Sequence, residues 1–197
     1  GKPKGVMIEH ESVTRLFYAT QGWYRFCSND VWTLFHSYAF DFSVWEIWGA
    51  LFCGGRLVVV PYMVSRSPEL FYKLLFEQGV TVLNQTPSAF FQLMSYEETL
   101  ARPKKLKARL VIFGGESLEL SQLLPWVQRH GDKHPQLVNM YGITEITVHA
   151  TYGPLSQKIM QEARGSLIGQ KLPDLKIYIL DGYLNPVPVG VPGELHI

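Results

Sequence analysis

The chain has 197 residues, 47% of them hydrophobic and 13% aromatic, which excludes a disordered segment and allows one full-sized domain or a piece of a larger one. Its 18 Lys and Arg face 17 Asp and Glu, so no general field favours nucleic acid or an anionic membrane, and the Lys104-Lys105-Leu106-Lys107 block reads as a solvated face. Cys27 and Cys53 stand far apart with no CxxC spacing, which fits a reducing compartment, with cytoplasm as the default, and no disulfide framework. No apolar run approaches the roughly twenty residues of a membrane span, and Gly1 to Gly5 do not lead into a signal-peptide core. Both ends are expected to be cut, since there is no initiator Met and Glu194 to Ile197 stops inside a strand-like pattern.

In chain order, Val44, Ile47, Trp48 and Leu51 recur at helical spacing and predict a helix over Ser43 to Phe52, stopped at Gly54-Gly55. A strand is expected at Leu57 to Val60. Ser67-Pro68-Glu69 has the composition of an N-cap with proline in the first turn, opening a helix that runs to Gln78-Gly79. Strands at Val80 to Leu83, Leu110 to Phe113 and Leu137 to Met140 alternate with helices starting at Pro87 and spanning Ser117 to Arg129. This alternation predicts an α/β fold with a mainly parallel sheet flanked by helices. From about Lys171, turn residues separate short alternating runs, including a strand at Leu175 to Leu180. The expected division is therefore an α/β unit over 1–170 and the beginning of a β-rich subdomain over 171–197.

General motifs are missing: there is no GxxxxGK[ST], HExxH, GxSxG or complete GxGxxG. His130 and His134 lie four apart in a Gly, Asp and Lys-rich stretch, a spacing without a third ligand that does not make a metal site.

Three segments carry chemistry when taken together. Asp41 sits among Tyr38, Phe40, Phe42 and Trp45 at a helix start. Capping accounts for an acid there, but a carboxylate among rings also loses hydration and requires a cation or donors, which a substrate ammonium would supply. Leu110-Val111-Ile112-Phe113-Gly114-Gly115-Glu116 runs from a strand into glycines, either a tight turn alone or a place where a ligand approaches the backbone. Asn139-Met140-Tyr141-Gly142-Ile143-Thr144-Glu145 combines an amide, an aromatic face, a hydroxyl and a carboxylate on a turn that Gly142 permits.

With Lys2-Pro3-Lys4-Gly5-Val6 and Gly193-Glu194-Leu195-His196-Ile197 at the ends, these segments resemble, in order and spacing, the adenylate-forming enzymes, and within them the adenylation domains of nonribosomal peptide synthetases. The resemblance covers the whole chain. It implies a flavodoxin-like subdomain and activation of an amino acid by ATP. Asp41 would pair with the substrate ammonium, Glu145 would hold Mg²⁺, Thr144 would touch the α-phosphate, and Tyr141 would lie against adenine with Asn139 on its amino edge. Gly115 and Glu116, with the Gly114 backbone, would line the nucleotide, and Lys4 would reach the departing pyrophosphate.

The positions matching the family's side-chain pocket are Asp41, Phe42, Trp45, Asn84, Ile112, Gly114, Met140, Val148 and His149, a series similar to that of threonine-activating members. The implied partners are L-threonine or a similar small amino acid, a peptidyl carrier protein bearing phosphopantetheine, and a condensation domain, with no nucleic acid or membrane. Ile143 departs from the family, where many members have Pro. The glycine-rich phosphate loop, the ribose-binding Asp and the mobile subdomain with its carboxylate-contacting Lys are not in these 197 residues, so the isolated chain is expected to lack turnover. The alternatives are a segment of an acyl- or aryl-CoA ligase, whose substrate would leave Asp41 unpaired, and a non-catalytic excised module.

Overall fold

The order of the strands determines where a ligand can sit. In the computed structural model, which describes residues 5–163 and 165–197, the parallel strands are β1 (Val31–Leu34), β2 (Arg56–Val59), β3 (Val82–Gln85), β4 (Leu110–Phe113) and β5 (Gln136–Asn139). They pair in the order β2-β1-β3-β4-β5, and antiparallel β6 (Thr151–Leu155) and β7 (Gln170–Lys171) continue the sheet beyond β5. The expected mainly parallel α/β sheet is present. This order is that of flavodoxin-like doubly wound sheets, in which ligands bind beyond the carboxyl ends of the strands.

The period-two alternation of side chains splits the core into two layers. From β4, Leu110 and Ile112 pack with Val82 and Val138 against α1 (His10–Tyr24) and α2 (Phe42–Phe52). Val111 and Phe113 point the other way, with Leu83 and Leu137, against α4 (Pro68–Gln78), α5 (Pro87–Glu98) and α6 (Leu124–His130). Two short helices, α3 (Tyr62–Ser65) and α7 (Gln157–Glu162), complete the unit. β8 (Tyr178–Leu180) and β9 (Glu194–His196) pair with each other in a separate two-stranded sheet. Among the described residues no helix is long and apolar enough to cross a membrane.

Several expectations are corrected. The helix expected over Ser43 to Phe52 forms as α2, starting one residue earlier; its buried face is Phe42, Ser43, Trp45, Glu46, Gly49 and Ala50, while Trp48 is 37% and Leu51 55% exposed. The small residues are what let α2 lie close to the sheet, since a Cβ on Gly49 would fall 2.3 Å from the Trp32 ring. The single helix expected over Ser117 to Arg129 is instead a 3-10 turn at Leu120–Leu123 followed by α6. Pro125, which has no N–H to donate, opens a new helix there rather than continuing one. Three other strands are shorter or shifted by up to two residues at either end, and the last shrinks to Tyr178–Leu180.

A candidate active site at the carboxyl ends of the strands

The chain leaving β1 is held by an acid that sequence reasoning gave no role. Glu46 of α2 is fully buried and accepts from the backbone N–H of Phe35, at 3.2 Å to its nearer oxygen, and of His36 at 3.1 Å. His36 Nδ1 lies 3.2 Å from Glu46 Oε1, an ion-pair distance without hydrogen-bond direction. Burial pushes the Glu46 carboxyl up, against the His36 contacts and the two amides. Glu46 thereby fastens the segment that delivers Phe40 and Asp41. The available sequence signal was one acid inside the apolar run Val44 to Phe52.

Asp41 occupies the N-cap position of α2 yet makes no capping hydrogen bond through its side chain. Its Oδ2 instead accepts the Thr144 hydroxyl at 2.9 Å, across 103 residues of sequence. The carboxylate is half-buried, and burial pushes its pKa up; the Thr144 donor opposes this and the charge of Glu145 adds to it. No Lys or Arg forms an ion pair with Asp41 among the described residues. Among the described residues it is a carboxylate short of a cation.

Beyond β5 the chain turns sharply, and the turn requires Gly142. A Cβ there would lie 2.0 Å from the Val148 carbonyl oxygen and 2.6 Å from His149 Cα. A 3-10 turn, Thr144–Ile146, follows, and then Thr147 (φ 66°) and Val148 (φ 67°) both adopt left-handed backbone. Such conformations cost a non-glycine residue about 1–3 kcal/mol and mark functional loops. Here they fold the segment back so that Val148 and His149 face the residues leaving β1 and β4.

Two adjoining cavities result. One, of about 250 Å³, is lined by Phe40, Asp41, Phe42, Thr144, Glu145, Val148 and His149; the other, of about 450 Å³, by Glu116, Ser117, Asn139, Tyr141, Ser166 and Ile168. Gly115, Met140, Gly142 and Ile143 line both, so a ligand can span them. Gly115, at φ 82°, also admits the Phe40 ring, which lies 2.7 Å from where its Cβ would be.

The wall of the smaller cavity contains unmet polar capacity. His149 is fully buried, neither ring nitrogen has a partner, and burial holds its pKa down to about 3. It is therefore a neutral imidazole, offering one donor and one acceptor. The Phe42 and Trp45 rings meet it edge to face, at 5.4 and 5.0 Å. Asn84, fully buried and not itself part of that wall, accepts from Trp45 Nε1 at 3.1 Å, which leaves its Nδ2 without a partner.

The model of the family described as "AMP-binding enzyme" matches residues 1–197. The chain belongs to that family. It is 61% identical over 198 residues to the dimodular nonribosomal peptide synthase of Bacillus subtilis (strain 168), covering all of this chain and 8% of that protein. It is 48% identical over 197 residues to syringomycin synthase SyrB1 of Pseudomonas syringae pv. syringae, covering all of this chain and 32% of that one. The chain thus spans under a third of these relatives. The fold superposes on crystal structures of the nonribosomal peptide synthetase FmoA3 with TM-scores of 0.89 and, in its AMPPNP-bound form, 0.90, at 24% and 23% identity, covering 99% of this chain and 21% of that one.

Against the residues expected of an AMP-binding enzyme, the fold brings together Asp41, Phe42, Met140, Thr144, Glu145, Val148 and His149 on one cavity, and Gly115, Glu116, Asn139, Tyr141 and Gly142 on the other. Trp45, Asn84 and Ile112 are fully buried and line neither cavity, Trp45 meeting the first through the His149 ring and Asn84 through Trp45, and Gly114 adjoins it through His149 and Phe42. Glu116 lines the second cavity, but its carboxylate is committed to Ser88, accepting from Ser88 N at 3.0 Å and Oγ at 2.8 Å. Lys4 falls outside the described residues. His130 pairs with Glu97 at 2.8 Å, and the described residues contain no group of three or more His, Cys, Asp or Glu placed to hold a metal ion.

Proposed function

We propose that this chain is the amino-acid-selecting and AMP-binding part of an adenylation domain, residues 1–170 forming the binding unit and 171–197 the start of a β-rich subdomain. In the complete synthetase, a carboxylate oxygen of L-threonine attacks the α-phosphorus of ATP, the bond to the bridging oxygen breaks, and pyrophosphate leaves. A carrier-protein phosphopantetheine thiol then attacks the acyl carbon, AMP departs, and the thiol proton passes to solvent.

Asp41 receives the substrate ammonium. Support for this comes from one observation above all, a half-buried carboxylate beside Glu145 with no cation of the protein's own among the described residues. Threonine, rather than another small amino acid, is favoured by the unpartnered His149 and Asn84 nitrogens next to the apolar Phe42, Met140 and Val148. A hydroxyl would serve the polar atoms and a methyl the wall. Asn139 donates Nδ2 to the Leu167 carbonyl at 2.8 Å, which leaves Oδ1 as an acceptor for an adenine amino group, with the exposed Tyr141 ring available for stacking.

Mg²⁺ fits a single carboxylate, Glu145, because this ion is commonly held by one or two carboxylates with substrate phosphates and water. It would offset phosphate charge. Thr144 and Glu145 would place the phosphates, so that catalysis rests on positioning and charge neutralisation.

Amino-acid-dependent ATP–pyrophosphate exchange by the complete synthetase is the test. Threonine should exceed valine by at least about a hundredfold, because valine leaves buried polar groups unpaired, and serine by about tenfold to a hundredfold, one methyl's worth. Asp41→Ala should abolish exchange. Exchange driven by fatty or aryl acids, or unaffected by Asp41→Ala, would favour an acyl- or aryl-CoA ligase instead.

A further inference from the structure

The Thr144 hydroxyl has one proton and, under the assignment just proposed, two claimants. It is given to Asp41 Oδ2 at 2.9 Å, yet Thr144 is also the residue assigned to the α-phosphate. We infer that Thr144 is a positioning residue for the ammonium site as well, and that its hydroxyl couples amino-acid and nucleotide binding. This rests on the adenylation assignment.

The physical argument concerns what each ligand leaves behind. If nucleotide enters alone and draws the hydroxyl to a phosphate oxygen, Asp41 loses a donor while still half-buried beside Glu145. That loss opposes nucleotide binding. If the amino acid is already present, its ammonium compensates Asp41 and the hydroxyl moves without penalty.

Each ligand therefore eases entry of the other, and by linkage the factor is the same in both directions. The geometry suits such a switch: Thr144 is exposed, lies on a single 3-10 turn, and follows directly on Gly142 and Ile143, which line both cavities.

Isothermal titration of the complete synthetase with L-threonine, with and without saturating α,β-methylene ATP and Mg²⁺, measures the coupling. Threonine should bind about tenfold tighter in the presence of the analogue, within the usual allosteric range. Thr144→Val, titrated at analogue concentrations that saturate the variant, should bring this factor to within about twofold, and Thr144→Ser should restore it. A factor of one in the native protein, or an undiminished factor in Thr144→Val, overturns the inference. Unchanged threonine affinity in Asp41→Ala would sink the adenylation assignment itself; intact Asp41 dependence with coupling that survives Thr144→Val sinks the coupling alone.

Discussion

Trp45 donates its indole N–H to the side-chain oxygen of Asn84 at 3.1 Å. That bond decides which end of a buried amide is occupied: the oxygen is engaged, and Nδ2 is left as an unpartnered donor. Trp45→Phe would preserve a ring able to stack on Phe17, now at a centroid distance of 4.7 Å, while releasing the amide to turn over. Under the proposed threonine assignment, exchange assays should show kcat/KM for threonine falling by about tenfold and that for valine by less than about twofold, since only a hydroxylated substrate would use the amide. An equal fall for both substrates would mean that Trp45 acts through packing alone.

Glu46 should behave as an anchor. Removing it in Glu46→Ala leaves the Phe35 and His36 amides without their acceptor, together with a void, and should cost about 3 kcal/mol or more in urea unfolding. Glu46→Gln keeps an acceptor oxygen and should recover much of that loss. Because the anchored segment delivers Asp41, Glu46→Gln should raise KM for the amino acid more than it lowers kcat.

His149 predicts a pH signature of folding. Its pKa is about 3 in the folded protein against about 6.5 when unfolded. Below about pH 6.5 the unfolded chain binds a proton that the folded chain refuses, so this group makes stability fall on acidification, through the window from about 6.5 down to about 3. The slope attributable to this one site approaches about 1.4 kcal/mol per pH unit. Urea titrations at pH 7, 5.5 and 4.5 should show this component missing from His149→Phe.

Gly142→Ala should be severe and Gly22→Ala benign. The added Cβ at Gly142 meets backbone at 2.0 Å, so the loop carrying Thr144 and Glu145 has to move; a loss of about 2 kcal/mol or more in stability is expected, with exchange activity falling along with it. At Gly22, within α1, nothing lies within 4 Å, and alanine should stabilise by about 0.5–1 kcal/mol. Thermal melts of both variants decide the matter.

The legible parts of the fold were those with strong local chemistry. β4, four apolar residues before Gly114-Gly115, was placed at its observed bounds, and α4 announces itself with the Ser67 cap and the Gly79 stop. By contrast α1 mixes polar and aromatic residues, β1 interrupts its apolar run with Thr33, and β6 contains Gly153 and Pro154, so none showed a periodicity that stands out. Which face of α2 is buried was not legible from apolar spacing, for a different reason. The helix turns toward the sheet the side that fits between Trp32 and the Phe35–His36 amides, even though that side includes Ser43, Glu46 and Gly49 and leaves Leu51 outside.

By itself, then, the order of residues determined the family, the alternation of strands and helices, and, Ser166 and Ile168 apart, many of the side chains that line the two cavities, because these depend on local composition and on motif spacing. Tertiary structure alone decided that Thr144 meets Asp41, that Glu46 anchors the segment after β1, and that Trp45 spends the Asn84 oxygen. Each joins residues separated by 10 to 103 positions, and such contacts exist only once the sheet has brought the strand ends side by side.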